Sequence, residues 1–282
     1  HESILAPIGG LPTVFSVLGP DNGAFLFHAD LRRLGALLEQ VGSGRVALEM
    51  VEVHSLDRLQ HWNLDQPERI RYYYRQTDDF VRELHQKCER NGVMFVLLSD
   101  HGMEPVSGYI DLMSGMQRLG VPASEFSYFI ENTRATFWFH SDRARSTIGD
   151  WLASQRGGAL LTYADMRQYG VDFRDASYGD VYFLPDAGKT LFPNDFCHPV
   201  ANRVLAYRDW QQRARMTNAR HRGDHGYRPD SESELGLLLV AGDGRGARAE
   251  DITLLDFAPS MLDLLGRSVP SSMRGISLFS AA

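Results

Sequence analysis

Val93-Met94-Phe95-Val96-Leu97-Leu98-Ser99-Asp100-His101-Gly102-Met103 is the stretch on which the reading of the fold turns. Its six leading apolar residues suit a strand buried on both faces. The strand delivers an adjacent Asp and His to its carboxyl end, where open α/β sheets take their ligands. A carboxylate and an imidazole on a rigid strand end are two metal ligands, and Gly102 behind them lets the chain turn away.

The flanking sequence supplies the scaffold. Residues 46–53 read as a strand, and Asp65-Gln66-Pro67 reads as a helix start with proline in the first turn. Ile70, Tyr73, Tyr74, Thr77, Phe80, Val81, Leu84 and Cys88 then fall on one helical stripe, which Asn91-Gly92 stops. Strand, helix and strand in that order make a βαβ unit. They predict an α/β fold, a mostly parallel sheet sandwiched by helices. Leu31, Leu34, Leu37 and Leu38 mark a further helix ended by Gly42, while Gly9, Gly10, Pro12, Gly19 and Pro20 mark an opening loop with short strands.

From 104 to 220 the texture changes. Residues 126–139 are aromatic and β-prone, 142–155 are helical in pattern, and 178–184 form another strand, with polar turns between them. This stretch reads as an α+β cap inserted into a core made of 1–103 and 221–282. The sheet resumes at 235–240, and a helix over 254–265 stops at Gly266.

Composition bounds the chemistry. The 282 residues carry a formal charge of −7 with no long Lys/Arg cluster, which argues against binding a nucleic-acid duplex. An acidic protein that handles phosphate must concentrate cations at its site, and metal ions would serve. The two cysteines exclude a disulfide framework or a thiolate cluster. Cys88 reads as a buried helix residue; Cys197, beside His198, reads as a loop residue with a metal contact as the alternative. No apolar run approaches the ~20 residues of a membrane span. The chain starts at His1 rather than Met, so it is expected to begin after a cut or processing event.

Two further constellations join Asp100 and His101. Asp57-Arg58-Leu59-Gln60-His61 follows the 46–53 strand, and Asp and His four apart share a face if the segment is helical. The alternative is a polar loop with an incidental histidine. Gly223-Asp224-His225-Gly226-Tyr227 sets a histidine among glycines, where an ion can approach, with a surface turn as the alternative. His221 competes, but Arg220 and Arg222 make a solvated basic loop the simpler reading. Asp57, His61, Asp100, His101 and His225 exceed the ligand set of one zinc, so two ions are implied. Two metals ~3.5–4 Å apart form a clamp for in-line displacement at phosphorus. Tyr227 and Arg228 are weaker candidates for the substrate pocket, and Tyr178 or Phe183 for stacking a base; packing and solvation are the simpler roles. Tyr72-Tyr73-Tyr74 reads as helix packing, and His54 as either structural or supporting.

These motifs resemble those of the alkaline phosphatase superfamily, in its type I phosphodiesterase/nucleotide pyrophosphatase branch. The tail also fits, with Ala258-Pro259-Ser260-Met261-Leu262-Asp263-Leu264-Leu265-Gly266, Val269-Pro270 and Gly275-Ile276-Ser277-Leu278. The resemblance covers 46–278 and is weakest in the cap. It implies an alkaline-phosphatase-like fold in which Asp57, His61 and His225 hold one zinc, while Asp100 and His101 hold part of a second. Manganese or another divalent ion is the alternative metal. It also implies a small phosphate ester or nucleotide-like substrate.

The family completes its second site with an Asp on the first strand and a Thr or Ser nucleophile. Thr13, Ser16, Asp21 and Asp30 do not stand in that context. The chain is therefore expected to be the carboxyl-terminal portion of a longer enzyme, weak or inactive alone. It would pair with a separate amino-terminal chain, assemble with its own copies, or carry a rearranged sheet. The competing reading is a non-catalytic, degenerate relative that binds a metal or a partner. Phosphomonoesterase, sulfatase and phosphomutase are further alternatives within the superfamily.

Overall fold

The computed structural model describes residues 4–8, 11–16, 23–171, 176–195, 221–242 and 252–279, with side chains from Phe27 onward. Cys197, His198 and Asp21 lie outside the described residues, as do the glycines and proline that marked the opening loop, Pro12 excepted. In chain order the strands are β1 (Ile4–Ile8), β2 (Leu11–Ser16), β3 (Leu48–Val51), β4 (Phe95–Leu98), β5 (Glu104–Pro105), β6 (Gly108–Ile110) and β7 (Phe126–Ile130). They continue with β8 (Ala135–Phe139), β9 (Gly158–Thr162), β10 (Val181–Pro185), β11 (Lys189–Leu191), β12 (Gly223–Asp224) and β13 (Leu238–Ala241). The helices are α1 (Gly23–Gln40), α2 (Ser55–Asn63), α3 (Pro67–Arg90), α4 (Leu112–Arg118), α5 (Asp142–Ala153), α6 (Tyr163–Arg167) and α7 (Phe257–Leu264). None of these helices is long and apolar enough to cross a membrane. The fold is mixed α/β, and its chain divides into two units. One draws on residues up to Leu59, on Glu68–Asp100 and on the chain from Gly236; the other on Gln60–Pro67 and His101–Leu235.

In the first unit, β1 and β2 pair antiparallel and β2 runs parallel to β3, with Thr13 opposite Leu48 and Ser16 opposite Val51. β4 pairs antiparallel with β13, Leu98 opposite Leu238. The strand expected over 93–98 thus begins at Phe95, and Val93 is exposed. Phe95 is buried, but Val96, Leu97 and Leu98 are only half-buried, short of the two-faced burial expected. Their β4–β13 ladder is a two-stranded one among the described residues, which shields less of each face than a wider sheet.

The apolar stripe of α3 packs here, with Leu84, Cys88 and Phe95 forming a cluster against Leu37, Leu38 and Val41 of the α1 region. Burial raises the Cys88 thiol, leaving an inert packing residue. The tyrosine run departs from expectation. Tyr73 packs edge-on against Phe27 at 4.7 Å, whereas Tyr72 and Tyr74 are 57% and 46% exposed. At 100° per residue only Tyr73 lines up with Thr77 and Leu84 on the buried face.

Helix α2 is anchored at its start by a carboxylate from α1. Buried Asp30 accepts the Ser55 amide at 2.9 Å, satisfying one of the amides a helix N-terminus leaves orphaned. Burial lifts the Asp30 carboxyl above its ordinary 3.8, against the pull of Ser55, Arg33 and His54. The native state therefore binds this proton more tightly than the unfolded chain. Stability attributable to Asp30 falls as pH rises from 3.8 through the raised value. Asp30→Asn, which keeps an acceptor, is expected to remove that pH slope. Asp30→Ala should cost about 1–3 kcal/mol by orphaning the amide. Urea unfolding of both variants between pH 4 and 8 checks both outcomes.

The carboxyl-terminal helix ends as expected. Gly266 takes a φ of 64°, and the amides of Gly266 and Arg267 close onto the carbonyls of Asp263 and Leu262. The tail then folds back: the Ile276 amide donates to Asp256, the Leu278 amide to Ser260 Oγ, and the Ser277 hydroxyl to Asp263.

The second unit is organised by an antiparallel sheet of order β7-β8-β10-β9. The aromatic stretch splits into β7 and β8 about a tight turn, in which the Glu131 amide donates to the Arg134 carbonyl at 2.7 Å. Phe137, Ile130, Phe183, Ile148 and Leu152 are buried where α5 covers this sheet. Ser141 caps α5, and Thr162 with Asp165 forms a capping box on α6. Two short ladders complete the unit: β6 runs parallel to β11, and β5 antiparallel to β12.

Candidate metal centre

The β5–β12 ladder does the positioning. It pairs Glu104 with Asp224 and Pro105 with Gly223, so the chain leaving His101 runs beside the chain entering His225. Their imidazoles stack, with ring centroids 3.5 Å apart and planes 14° from parallel. His61, in the last turn of α2, is tied to the same segment: the Arg222 amide donates to the His61 carbonyl at 2.5 Å, and His61 Nδ1 meets the Gly223 carbonyl at 2.8 Å. A side chain at Gly223 would collide with Leu64 and Met103 at 2.8 Å, so glycine is what allows this approach. The His61 ring lies 5.1 Å from His225 and 4.5 Å from His221.

Tautomers follow from the partners. A carbonyl only accepts, so His61 carries a proton on Nδ1 toward Gly223. His101 is set the same way, with Nδ1 2.8 Å from the Gly102 carbonyl. A ring nitrogen tied to a carbonyl, with the opposite nitrogen basic, is the arrangement of metal-ligating histidines.

Asp224 and His221 emerge as site residues that sequence reasoning passed over. Asp224 is 3% exposed; its Oδ1 accepts the His225 amide at 3.2 Å and its Oδ2 lies 3.1 Å from the Thr190 hydroxyl. Burial alone would raise its carboxyl, but His221, His61 and Thr190 outweigh it and hold the group below the ordinary value. His221 is no solvated basic loop: Trp62 packs edge-on against its ring at 5.1 Å, and Asn132 Nδ2 and Asp224 Oδ2 lie 2.8 and 3.2 Å from its Nδ1. Long-range pairing decides this, and flanking arginines could not signal it. A cleft of about 350 Å³ opens over the group, lined by His61, His221, His225, Asn132, Thr133 and Arg134 among others.

Asp57 and Asp100 belong to the first unit and His61, His101 and His225 to the second. Residues 55–63 are helical, so Asp57 and His61 share a face of α2. The strand end bearing Asp100 is held by the Leu237 amide on Ser99 Oγ at 2.8 Å and the Ser99 amide on the Leu237 carbonyl at 2.9 Å. Tyr227 is buried, with its hydroxyl raised by burial and by Asp224 and Glu104, and it is not among the residues lining the cleft. Arg228 reaches Asp186 at 3.7 Å and Asp230 at 3.8 Å. Phe183 is core and Tyr178 exposed, while His54 sits 3.4 Å from Glu52.

Glu234 is another residue without a sequence signal. Its Oε1 accepts the amides of Gly226 and Tyr227, both at 2.9 Å, clamping the turn after His225. Glu234→Ala should destabilise the chain by about 1–3 kcal/mol, and Glu234→Gln by less, as read from thermal melts.

The type I phosphodiesterase/nucleotide pyrophosphatase family model matches residues 22–228, well over half of the chain. The chain belongs to this family. Among solved structures it is similar to human ectonucleotide pyrophosphatase/phosphodiesterase 5, with a TM-score of 0.63 and 15% identity, covering 91% of this chain and 63% of that one. The murine protein gives a TM-score of 0.62 at 14% identity over 89% of this chain and 62% of its own. An inactive murine variant in complex with AMP matches equally well. These likenesses place the family member in the alkaline-phosphatase-like fold, and it spans less than two thirds of the length of these relatives. No curated protein matches the chain.

Proposed function

We propose that this family member serves phosphoric ester hydrolysis, as the metal-binding part of a phosphodiesterase or nucleotide pyrophosphatase. The observation that carries the reading is the pair of histidines, His61 and His101, each with Nδ1 tied to a backbone carbonyl, the support that metal-ligating histidines carry. Imidazole and carboxylate donors of this kind fit a borderline cation such as zinc. In the reading, Asp57, His61 and His225 hold one ion and Asp100 and His101 hold the other, as the order of the motifs implies. When bound, such ions neutralise charge on a phosphoryl group and favour formation of the attacking oxyanion. The attacking hydroxyl is a Thr or Ser beyond the three motifs, so ion and ligand binding, rather than turnover, test the chain.

Residues 104–220 act in this proposal as a cap that selects the ester. Asn132, Thr133 and Arg134, from the β7–β8 turn, stand on the cleft wall where the substituent of a bound phosphate would lie. The murine complex with AMP supports a nucleotide-like ligand. Calorimetric titration of AMP into the zinc-loaded chain is the test. Binding that disappears on chelation supports the proposal; binding indifferent to metal, or a chain that takes up no divalent ion, overturns it.

A further inference from the structure

We propose that His61, His221 and Asp224 form a second seat for a divalent cation, one that shares His61 with the motif ligand set and adds His221 and Asp224 to it. The Leu191 carbonyl can only accept. Asn194 Nδ2 donates to it at 3.3 Å and to Asn132 Oδ1 at 2.5 Å. That fixes the Asn132 amide with its oxygen toward Asn194 and its Nδ2 toward His221, whose Nδ1 it meets at 2.8 Å. His221 Nδ1 is therefore an acceptor, with its lone pair toward Asn132.

Asp224 Oδ2 stands 3.2 Å from that same nitrogen. With His221 neutral and Asn132 in this orientation, two atoms bearing lone pairs face each other. The Thr190 hydroxyl does not relieve them: its single proton is shared between the Asn132 carbonyl at 2.9 Å and Asp224 Oδ2 at 3.1 Å. Converging lone pairs on a buried carboxylate and an imidazole call for a positive charge between them. Their spacing suits one, because zinc bonds of ~2.0–2.1 Å put neighbouring ligands of a tetrahedron roughly 3.3 Å apart. His61 completes the set, with the ligand atoms of all three residues within 4.8 Å of one another. Two histidines and a carboxylate leave the fourth position facing the 350 Å³ cleft.

The seat rests on the metal reading above, since His61 serves both sets and one imidazole nitrogen binds one ion. An ion here is an alternative station for the first ion, and taking it displaces the Asn132 amide from His221. Cobalt(II) titration of the purified chain, followed by visible absorption, tests this. We expect Asp57→Ala to bind one more cobalt than Asp57→Ala/His221→Ala, which keeps only the ion assigned to Asp100 and His101. Added to Asp57→Ala, His221→Ala and Asp224→Asn should each weaken uptake at the seat at least 10-fold, and Asn132→Ala, which removes the competing amide, should tighten it severalfold. Unchanged affinity and spectrum when either His221→Ala or Asp224→Asn is added to Asp57→Ala, with cobalt still bound by the unmodified chain, would overturn the seat alone. An imidazolium at His221 with a reversed Asn132 would then be the partner of Asp224. An unmodified chain that binds no cobalt overturns the seat and the metal reading together. Circular dichroism of each variant separates lost ligands from lost fold.

Discussion

His61→Ala is expected to weaken divalent-ion binding by about 10²-fold or more, the largest loss of any single ligand substitution in this chain. Three independent ties converge on this residue. Its carbonyl takes the Arg222 amide, its Nδ1 donates to the Gly223 carbonyl, and its ring stands among His221 and His225. Removing the ring deletes a ligand from both the motif set and the seat with Asp224. It also releases the segment that carries His225. The cost without metal should be about 1 kcal/mol for the side-chain hydrogen bond to the Gly223 carbonyl. Unfolding with and without zinc separates the two effects: stabilisation by zinc should collapse in the variant while the metal-free midpoint barely moves. A variant with undiminished zinc stabilisation would remove His61 from the centre.

The largest loss of stability is expected from Phe183→Ala. Phe183 sits in the middle of β10, fully buried between β8 and β9, with its ring against the backbone of Gly158. A Cβ on Gly158 would meet Phe183 Cζ at 2.5 Å and the Leu184 carbonyl oxygen at 2.8 Å, so the neighbours cannot simply collapse into the space the ring leaves. Loss of the ring should cost about 3–5 kcal/mol, whereas Phe129→Ala on the exposed face of β7 should cost under ~1 kcal/mol. Equilibrium urea unfolding measures both. Since the cleft-lining turn 131–134 hangs from β7 and β8, partial loosening of this sheet should also blunt AMP binding before the unit unfolds.

The fold was largely legible because most of it depends on local pattern. Helix α3 follows from a stripe of apolar residues between Pro67 and Gly92, α7 from a stripe closed by Gly266, and β4 from an apolar run. Misreadings came where periodicity met geometry. Tyr74 lies near enough to the stripe to be counted, yet its angle on the helix leaves it in solvent. The run from Val93 is apolar throughout, but the ladder engages it only from Phe95.

The site divides along a similar line. Asp57, His61, Asp100, His101 and His225 could be put forward as candidates from the sequence because ligand chemistry is carried by residue type, and strand ends and glycine-flanked turns say where such residues are presented. That His101 and His225 stack, and that His61 donates to Gly223, required the structure. So did the parts played by His221, Asp224, Asn132 and Glu234. Those contacts depend on the register of β5 against β12, strands more than a hundred residues apart in the chain. A one-residue slip in such a ladder turns every side chain to the other face. Residue identity determined which atoms can hold a metal or a phosphate; the long-range register decided which of those side chains meet.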